Sequence, residues 1–245
     1  MIRNKDLSYP EAIVFDCYKT LFENSTSDWI TTFNKIINDL NLKISKEKLW
    51  KKWKFHEVNF RKNRTNLENP MKSPTFINYR TAWTDCFRIT FKELDIKSDY
   101  KLAGHIAAQH MSIRPIFPET KFTINELSDK VKLGIFSNAD EEGLQPLIKN
   151  SGLKFDIILS SEKAQVYKPS PLAFMKVFNS LKVKPENSWY VGDHLFDDIL
   201  GAHSVGSTAI WINRNNSKIE KNEEKPDIII SELSELCKIL DQIKK

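Results

Sequence analysis

The sequence predicts an α/β fold in which a core of parallel strands carries an inserted helical subdomain. Short apolar, β-branched runs recur along the chain and are typical of strands buried on both faces. Helical patterns separate the later runs, and such alternation indicates a parallel sheet with right-handed crossovers. The segment between the first two strands, residues 16–130, is far too long for one crossover. It therefore predicts an insert.

The predicted elements follow from these patterns. The strand-like runs cover residues 12–15, 131–136, 156–159, 189–191, 208–212 and 227–230. The helical patterns of the core cover residues 141–151, 171–181, 197–205 and 231–243. Pro169 and Pro171 suit a loop that enters a helix.

The insert reads as a set of helices, because apolar side chains such as Trp29 and Phe33 recur at helical spacing. We therefore expect a parallel-sheet core formed by residues 1–26 and 112–245, and a helical subdomain, here called the cap, formed by residues 27–111. Exposed aromatic side chains on this cap could support a homodimer.

Composition narrows the class of protein. Lys and Arg outnumber Asp and Glu by 37 to 32, a mild excess that favours a small anionic substrate and does not indicate nucleic acid. The three cysteines are far apart and show neither a disulfide framework nor a zinc spacing. No apolar signal core or membrane-length apolar run occurs. We expect a cytoplasmic protein that does not enter a membrane.

A carboxylate directly follows the first predicted strand. Asp16 comes after an apolar run, where burial costs desolvation free energy and where open α/β sheets bind their ligands. Carboxylates can act as nucleophiles that form covalent intermediates. The alternative is an acid that only completes the turn at the end of the strand.

Three later segments place polar side chains at comparable positions. Ser137 and Asn138 end the second strand and could hold an anion, or could simply cap a turn. Lys168 precedes a helix that starts with proline and can offer a cation to developing negative charge. Asp193 follows another buried strand, and with Asp16 it would form an oxygen-rich site suited to Mg²⁺. Asp198 could orient Lys168 or a water on the metal.

Together, in this order, the four segments resemble the motifs of the haloacid dehalogenase-like hydrolase superfamily. The resemblance spans nearly the whole chain and implies a Rossmann-like hydrolase core, an aspartyl-enzyme intermediate on Asp16, and a cap of the family's first type formed by the inserted helices. It implies that Ser137 binds the phosphate or carboxylate and that Lys168 neutralises charge. The implied Mg²⁺ ligands are Asp16, the Tyr18 carbonyl and Asp193, and the implied substrate-binding residues are Tyr18, Thr20, Asn138 and Asp198.

The motifs point to two branches of that superfamily. Residues 16–21 read Asp-Cys-Tyr-Lys-Thr-Leu, similar to the Asp-x-Tyr-Gly-Thr-Leu of 2-haloacid dehalogenases, whereas phosphatases usually have an acidic residue at the position of Tyr18. The fourth motif, with Asp193 followed by Asp198, resembles Mg²⁺-binding phosphatases; dehalogenases replace the metal acid and work without metal. No arginine stands beside Lys43, where dehalogenases carry one for the halide.

Three functions follow as hypotheses. The main one is a Mg²⁺-dependent phosphatase that acts on a small phosphorylated metabolite. The first alternative is a metal-independent (S)-2-haloacid dehalogenase. The second alternative is a weakly active member that binds a ligand or a partner, as the missing acid at Tyr18 and the unusual Lys19 suggest.

Overall fold

The computed structural model describes residues 7–243, so the first six and last two residues of the predicted core lie outside the described part. Its strands are β1 (Ala12–Phe15), β2 (Lys132–Ser137), β3 (Ile157–Ser160), β4 (Ser188–Gly192), β5 (Thr208–Ile212) and β6 (Ile228–Ile230). They form a six-stranded parallel sheet in the order β3-β2-β1-β4-β5-β6. The predicted parallel α/β fold is confirmed.

The helices are mostly those that the sequence predicts. They are α1 (Thr26–Asp39), α2 (Lys46–Asn63), α3 (Tyr79–Glu93), α4 (Tyr100–Gln109), α5 (Thr120–Ser128), α6 (Glu141–Ser151), α7 (Ser161–Ala164), α8 (Pro171–Leu181), α9 (Gly201–His203) and α10 (Glu235–Ile243). Short 3₁₀ helices cover Pro70–Lys72, His110–Ile113 and Pro185–Asn187, and a π-helical segment covers Leu195–Leu200.

Two predicted helices differ from those observed. The helix expected over residues 197–205 starts earlier, as the π-helical segment, and continues into α9. The helix expected over residues 231–243 starts only at Glu235, because the Glu235 carboxylate accepts hydrogen bonds from the backbone N–H groups of Ser231 and Glu232. These bonds hold residues 231–234 in a turn outside the helix.

The strand order determines where the sheet can bind a ligand. β1 is fully buried and pairs with β2 on one side and β4 on the other. The chain order of the strands reverses at β1, and in open α/β sheets this switch point is where ligands bind, beyond the carboxyl ends of the strands. Residues that follow β1, β2 and β4 therefore meet in one crevice. Asp16, Ser137 and Asp193 are such residues.

One face of the sheet is covered by apolar packing around α8. Phe174 of α8 contacts Phe136 of β2 and Tyr190 of β4, with ring centroids 5.6 and 4.8 Å apart and interplanar angles of 85° and 60°. All three side chains are fully buried. Burial of side chains of this size contributes about 1.5–3 kcal/mol each. This packing fixes the two strands that carry Ser137 and Asp193.

The chain divides into two compact units. The first comprises residues 7–23, 116–138 and 151–243, and the second comprises residues 24–115 and 139–150. The predicted boundaries lie three to four residues away, at 26 and 112, and the prediction places residues 139–150 in the core. Those residues group with the helical unit because the buried Asp140 carboxylate accepts hydrogen bonds from the backbone N–H groups of Tyr79 and Arg80, at 2.7 and 2.6 Å.

The second unit has its own aromatic interior. The rings of Phe33, Trp53 and Phe87 come from three different helices and lie 5.4–5.5 Å apart. All three are fully buried, which agrees with the helical spacing of apolar residues in the insert. In the part of the chain that the structure describes, none of the helices combines the length and apolarity needed to cross a membrane.

Candidate active site

The chain turns sharply after β1, and this turn presents Asp16. The Asp16 backbone N–H donates to the Val191 carbonyl of β4 at 2.8 Å, which ties the turn to the neighbouring strand. The Leu21 N–H then closes the turn on the Cys17 carbonyl, also at 2.8 Å. Lys19 lies at the tip with φ +67°, a left-handed conformation that side chains other than glycine, asparagine and aspartate rarely adopt.

Four side chains from separate segments meet at the end of β1. The Lys168 Nζ donates to Asp16 Oδ1 at 2.7 Å and to Asp198 Oδ1 at 2.6 Å. The Ser137 Oγ donates to the same Asp16 oxygen at 3.4 Å. All four side chains are buried, so water screens their charges little. The structure thus brings together the predicted nucleophile, anion binder and cation.

The buried charges shift one another's pKa values. Burial raises the pKa of Asp16 to about 6, although the Lys168 ammonium opposes this rise. Burial alone would lower the pKa of Lys168, but the carboxylates of Asp16 and Asp198 hold it well above its ordinary value. At neutral pH the pair is therefore a carboxylate and an ammonium. Asp16 is available to attack, and Lys168 is available to stabilise negative charge.

Asp193 completes a cluster of three acids. One carboxylate oxygen from each of Asp16, Asp193 and Asp198 lies within 4.8 Å of the other two. Among the described residues, none forms a hydrogen bond or salt bridge with the half-buried Asp193 carboxylate. Burial, followed by repulsion from Asp198 and Asp16, raises the pKa of Asp193 to about 8. This group lacks the positive partner that Lys168 provides for the other two.

Asp198 is fixed by the start of the π-helical segment. Its Oδ2 accepts the His194 backbone N–H at 3.0 Å, while its Oδ1 accepts from Lys168. A Cβ on Gly192 would lie 2.3 Å from the Asp198 carboxyl carbon, so the strand must end in glycine for the acid to fit. The sequence interpretation places Asp198 in substrate binding or in orienting Lys168. Its contacts favour the orienting role.

Two other predicted residues have different surroundings. The Asn138 side chain accepts the Lys168 backbone N–H at 2.9 Å and donates to the Lys168 carbonyl at 3.3 Å, so it fixes the backbone that carries the ammonium. Thr20 is fully buried, and its hydroxyl has no hydrogen-bond partner among the described residues. Direct substrate contacts by Tyr18, Thr20 and Asn138 remain predictions.

Two further residues around the site are not predicted from the motifs. The Tyr190 hydroxyl accepts from Lys168 Nζ at 2.9 Å, and the Arg214 Nη2 donates to the Thr20 carbonyl at 2.8 Å. Arg214 also pairs with Glu119 and lies 3.6 Å from the centroid of the Phe117 ring. For Tyr190 the sequence signal is a hydroxyl in the middle of a buried strand. For Arg214 it is the resemblance of residues 211–214 to dehalogenases, which does not indicate what the guanidinium contacts.

A carboxylate held against a buried lysine, at the switch point of a parallel sheet, is an arrangement suited to an α/β enzyme that binds its substrate beyond the strand ends. The family comparison agrees with this class. A family model described as haloacid dehalogenase-like hydrolase matches residues 10–206, and the chain belongs to that family.

Curated relatives include both dehalogenases and phosphatases. The chain is 28% identical to (S)-2-haloacid dehalogenase 2 of Pseudomonas sp. (strain CBS-3), over 68% of this chain and 73% of that protein. It is 33% identical to the glyceraldehyde 3-phosphate phosphatase of Pyrococcus furiosus, over 36% of this chain and 38% of that protein. Both relatives are hydrolases, and the chain is an enzyme of this kind.

Solved structures share the fold along most of the chain. L-2-haloacid dehalogenase from Xanthobacter autotrophicus aligns with a TM-score of 0.75 and 21% identity, over 95% of this chain and 98% of that one. A HAD-hydrolase from Bacillus subtilis, solved with magnesium bound, aligns with a TM-score of 0.78 and 19% identity, over 96% and 100% of the two chains. At these identities the likeness concerns the fold.

Proposed function

We propose that this protein is a Mg²⁺-dependent phosphohydrolase that acts on a small anionic, phosphorylated metabolite through an aspartyl-phosphate on Asp16. The observation that carries the proposal is the three-acid cluster, in which the Asp193 carboxylate has no positive partner among the described residues. When all three acids are ionised, their negative charges exceed the positive charge of the buried Lys168 ammonium, and the Lys19 cation, which also acts on Asp193, forms no ion pair with it among the described residues. A divalent cation balances that excess.

The donor set fits Mg²⁺. This ion prefers carboxylate and carbonyl oxygens together with water. The residues that would hold it are Asp16, Asp193 and the backbone carbonyl of Tyr18. When bound, Mg²⁺ neutralises charge on the transferring phosphoryl group and so lowers the barrier to attack by an anion.

The side chains of the chain supply the remaining steps. An Asp16 oxygen forms a bond to phosphorus as the bond from phosphorus to the leaving oxygen breaks. Lys168 and Ser137, which already contact Asp16 Oδ1, donate hydrogen bonds to the negative charge that develops. Water then attacks the phosphorus of the aspartyl-phosphate, which returns the Asp16 carboxylate and releases inorganic phosphate.

Tyr18 limits the choice of substrate. The position that usually holds a general acid in family phosphatases holds a phenol here, whose unperturbed pKa of about 10 makes it a weak acid at neutral pH. A leaving group that is itself weakly basic needs no proton from the enzyme. We therefore expect aryl or acyl phosphates to react faster than alkyl phosphates.

Dehalogenation is the second candidate, favoured by Tyr18 in the first motif and by the dehalogenase relatives. In that reaction an Asp16 oxygen forms a bond to the carbon atom, halide leaves, and water hydrolyses the resulting ester. The charge balance opposes it. Two carboxylates about 4 Å apart repel by roughly 4 kcal/mol at an effective dielectric constant of about 20, and a 2-haloacid brings a further carboxylate.

A paired assay separates the two reactions. Phosphate release from an aryl phosphate panel and halide release from a 2-haloacid panel are measured with Mg²⁺ and with a chelator. The proposal expects phosphate release that requires Mg²⁺ and disappears in Asp16→Asn and Asp193→Asn. Asp197→Asn, which removes a charge from the same turn but outside the three-acid cluster, should keep it. Halide release that persists in chelator, without phosphate release, would establish dehalogenation instead.

A further inference from the structure

Tyr190 places a hydroxyl in the apolar interior directly below the site. Its ring packs against Phe174 and is fully buried in the middle of β4. A buried hydroxyl without partners costs free energy, so its contacts are informative. The Tyr190 hydroxyl donates to the Phe136 carbonyl at 2.9 Å and accepts from Lys168 Nζ, also at 2.9 Å.

The hydroxyl completes the surroundings of the Lys168 ammonium. An ammonium group has three N–H donors and no acceptor. The acceptors around Lys168 Nζ are Asp16 at 2.7 Å, Asp198 at 2.6 Å and Tyr190 at 2.9 Å. Each donor can therefore be matched to one acceptor, which fixes the rotation of the ammonium as well as its position.

Only one of these three acceptors takes part in covalent chemistry. When Asp16 carries a phosphoryl or alkyl group, the charge of its own carboxylate is lost, and with a phosphoryl group negative charge moves outward onto the phosphoryl oxygens. The attraction that held Lys168 against Asp16 Oδ1 therefore changes. Asp198 and Tyr190 keep the same chemical form throughout. We propose that Tyr190 is a positioning residue that, together with Asp198, holds the Lys168 ammonium in place while Asp16 is covalently modified. This inference rests on the proposed covalent chemistry at Asp16.

A neutral acceptor suits this role better than a further acid, because the site already carries an excess of negative charge. Burial raises the pKa of Tyr190 well above its ordinary value, so the hydroxyl keeps its proton. The hydroxyl donates to the Phe136 carbonyl at 2.9 Å, a shorter contact than the 3.4 Å to Asp198 Oδ1, and its oxygen accepts from Lys168. The Phe136 carbonyl thus orients the hydroxyl that orients the ammonium.

Tyr190→Phe tests the role, because phenylalanine keeps the ring against Phe174 and removes only the hydroxyl. The matched control is Ser207→Ala, which removes another buried hydroxyl, one that donates to the Ser188 carbonyl at the start of the same strand. With the substrate class that turns over, we expect kcat to fall at least tenfold in Tyr190→Phe while KM changes less than threefold. Ser207→Ala should keep kcat within twofold.

A second readout does not depend on turnover. In protein with ¹⁵N-labelled lysine, a fully hydrogen-bonded ammonium exchanges its protons slowly, so Lys168 should give a resolved Nζ signal that Lys168→Met removes. The signal should broaden or disappear in Tyr190→Phe and persist in Ser207→Ala. Absence of the signal in the unmodified protein, its persistence in Tyr190→Phe, or an unchanged kcat would overturn the inference. Absence of both phosphatase and dehalogenase activity would contradict the proposed function. The Lys168 Nζ signal would still show whether Tyr190 positions the ammonium.

Discussion

Asp16 and Lys168 are 152 positions apart in the chain, yet Asp16 Oδ1 and Lys168 Nζ lie 2.7 Å apart in a buried site. The ammonium opposes the effect of burial on the pKa of Asp16, which is about 6, so that the acid is ionised at neutral pH. The nucleophile and the cation that supports it are thus one electrostatic unit. Loss of either residue should change the pKa of the other.

Lys168→Met should therefore affect both activity and stability. Without the ammonium the pKa of Asp16 rises further, and the acid limb of the pH–rate profile should move to higher pH as kcat falls. Breaking a buried ion pair by removing one partner costs about 3–5 kcal/mol. Urea unfolding and a pH–rate profile measure the two effects. The control is Lys132→Met, whose ammonium donates to the Leu181 carbonyl and should leave the profile unchanged. A profile that does not shift in Lys168→Met contradicts this account.

Asp193→Asn should stabilise the metal-free protein at alkaline pH. The pKa of Asp193 is about 8 in the folded protein and near 3.8 as the ordinary value, so between these values the folded state binds the extra proton. The free energy of unfolding must then fall as pH rises from 4 to 8. Asparagine removes this pH dependence and should raise the free energy of unfolding by roughly 1–3 kcal/mol at pH 8.

Urea unfolding in chelator at pH 6 and pH 8 measures this effect. Asp16, with a pKa of about 6, titrates over part of this interval in both proteins, so the effect of Asp193 is taken from the difference between the variant and the unsubstituted protein. Addition of Mg²⁺ should stabilise the unsubstituted protein and leave Asp193→Asn unaffected. Equal stability of the two proteins at pH 8 in chelator would count against an uncompensated carboxylate at position 193.

Lys19→Gly should stabilise the fold and raise the affinity for Mg²⁺. The left-handed conformation of Lys19 costs an ordinary side chain about 1 kcal/mol, and glycine adopts it freely. The Lys19 cation also lowers the pKa of Asp193, which shows that its positive charge reaches this carboxylate. Removal of Lys19 therefore removes a positive charge that repels a metal cation. Lys182→Gly is the matched control, because Lys182 has φ +55° at the end of α8.

Isothermal titration with Mg²⁺ and thermal unfolding distinguish the two effects of Lys19. Both glycine variants should unfold at higher temperature than the unsubstituted protein, because each relieves the same backbone strain. Only Lys19→Gly should bind Mg²⁺ more tightly. Equal Mg²⁺ affinity in both variants would show that Lys19 does not act on the metal site.

Arg214→Lys should loosen the turn that carries Asp16. Lysine keeps the charge, but its single ammonium nitrogen replaces two guanidinium nitrogens, Nη2 on the Thr20 carbonyl and Nη1 on the Glu119 carboxylate, and loses the planar fork that spans both. We expect a loss of about 1–3 kcal/mol in stability together with a lower kcat. Lys130→Met, which breaks the exposed pair with Asp241, should change neither. A kcat that stays unchanged in Arg214→Lys would separate Arg214 from the reaction.

The sequence predicts the site where polar residues follow apolar strands. Asp16, Ser137 and Asp193 each end or follow a buried run, and parallel strands bring their carboxyl ends to one edge. Tyr190 is different, because its sequence position predicts only a buried strand residue. Its hydroxyl contacts the Phe136 carbonyl and Lys168, which come from other segments of the chain. The contacts of Arg214 with Thr20 and Glu119 are also not predictable from local patterns, because they join segments that are distant in the chain.

The most direct test of the central claim is fluorine-19 NMR of beryllofluoride, an analogue of the phosphoryl group that binds to an aspartate carboxylate. We expect resonances of bound beryllofluoride that require Mg²⁺, disappear in chelator, and are absent from Asp16→Asn and Asp193→Asn. Failure to bind in the presence of Mg²⁺, or equal binding in chelator, would contradict a divalent cation shared by the two acids.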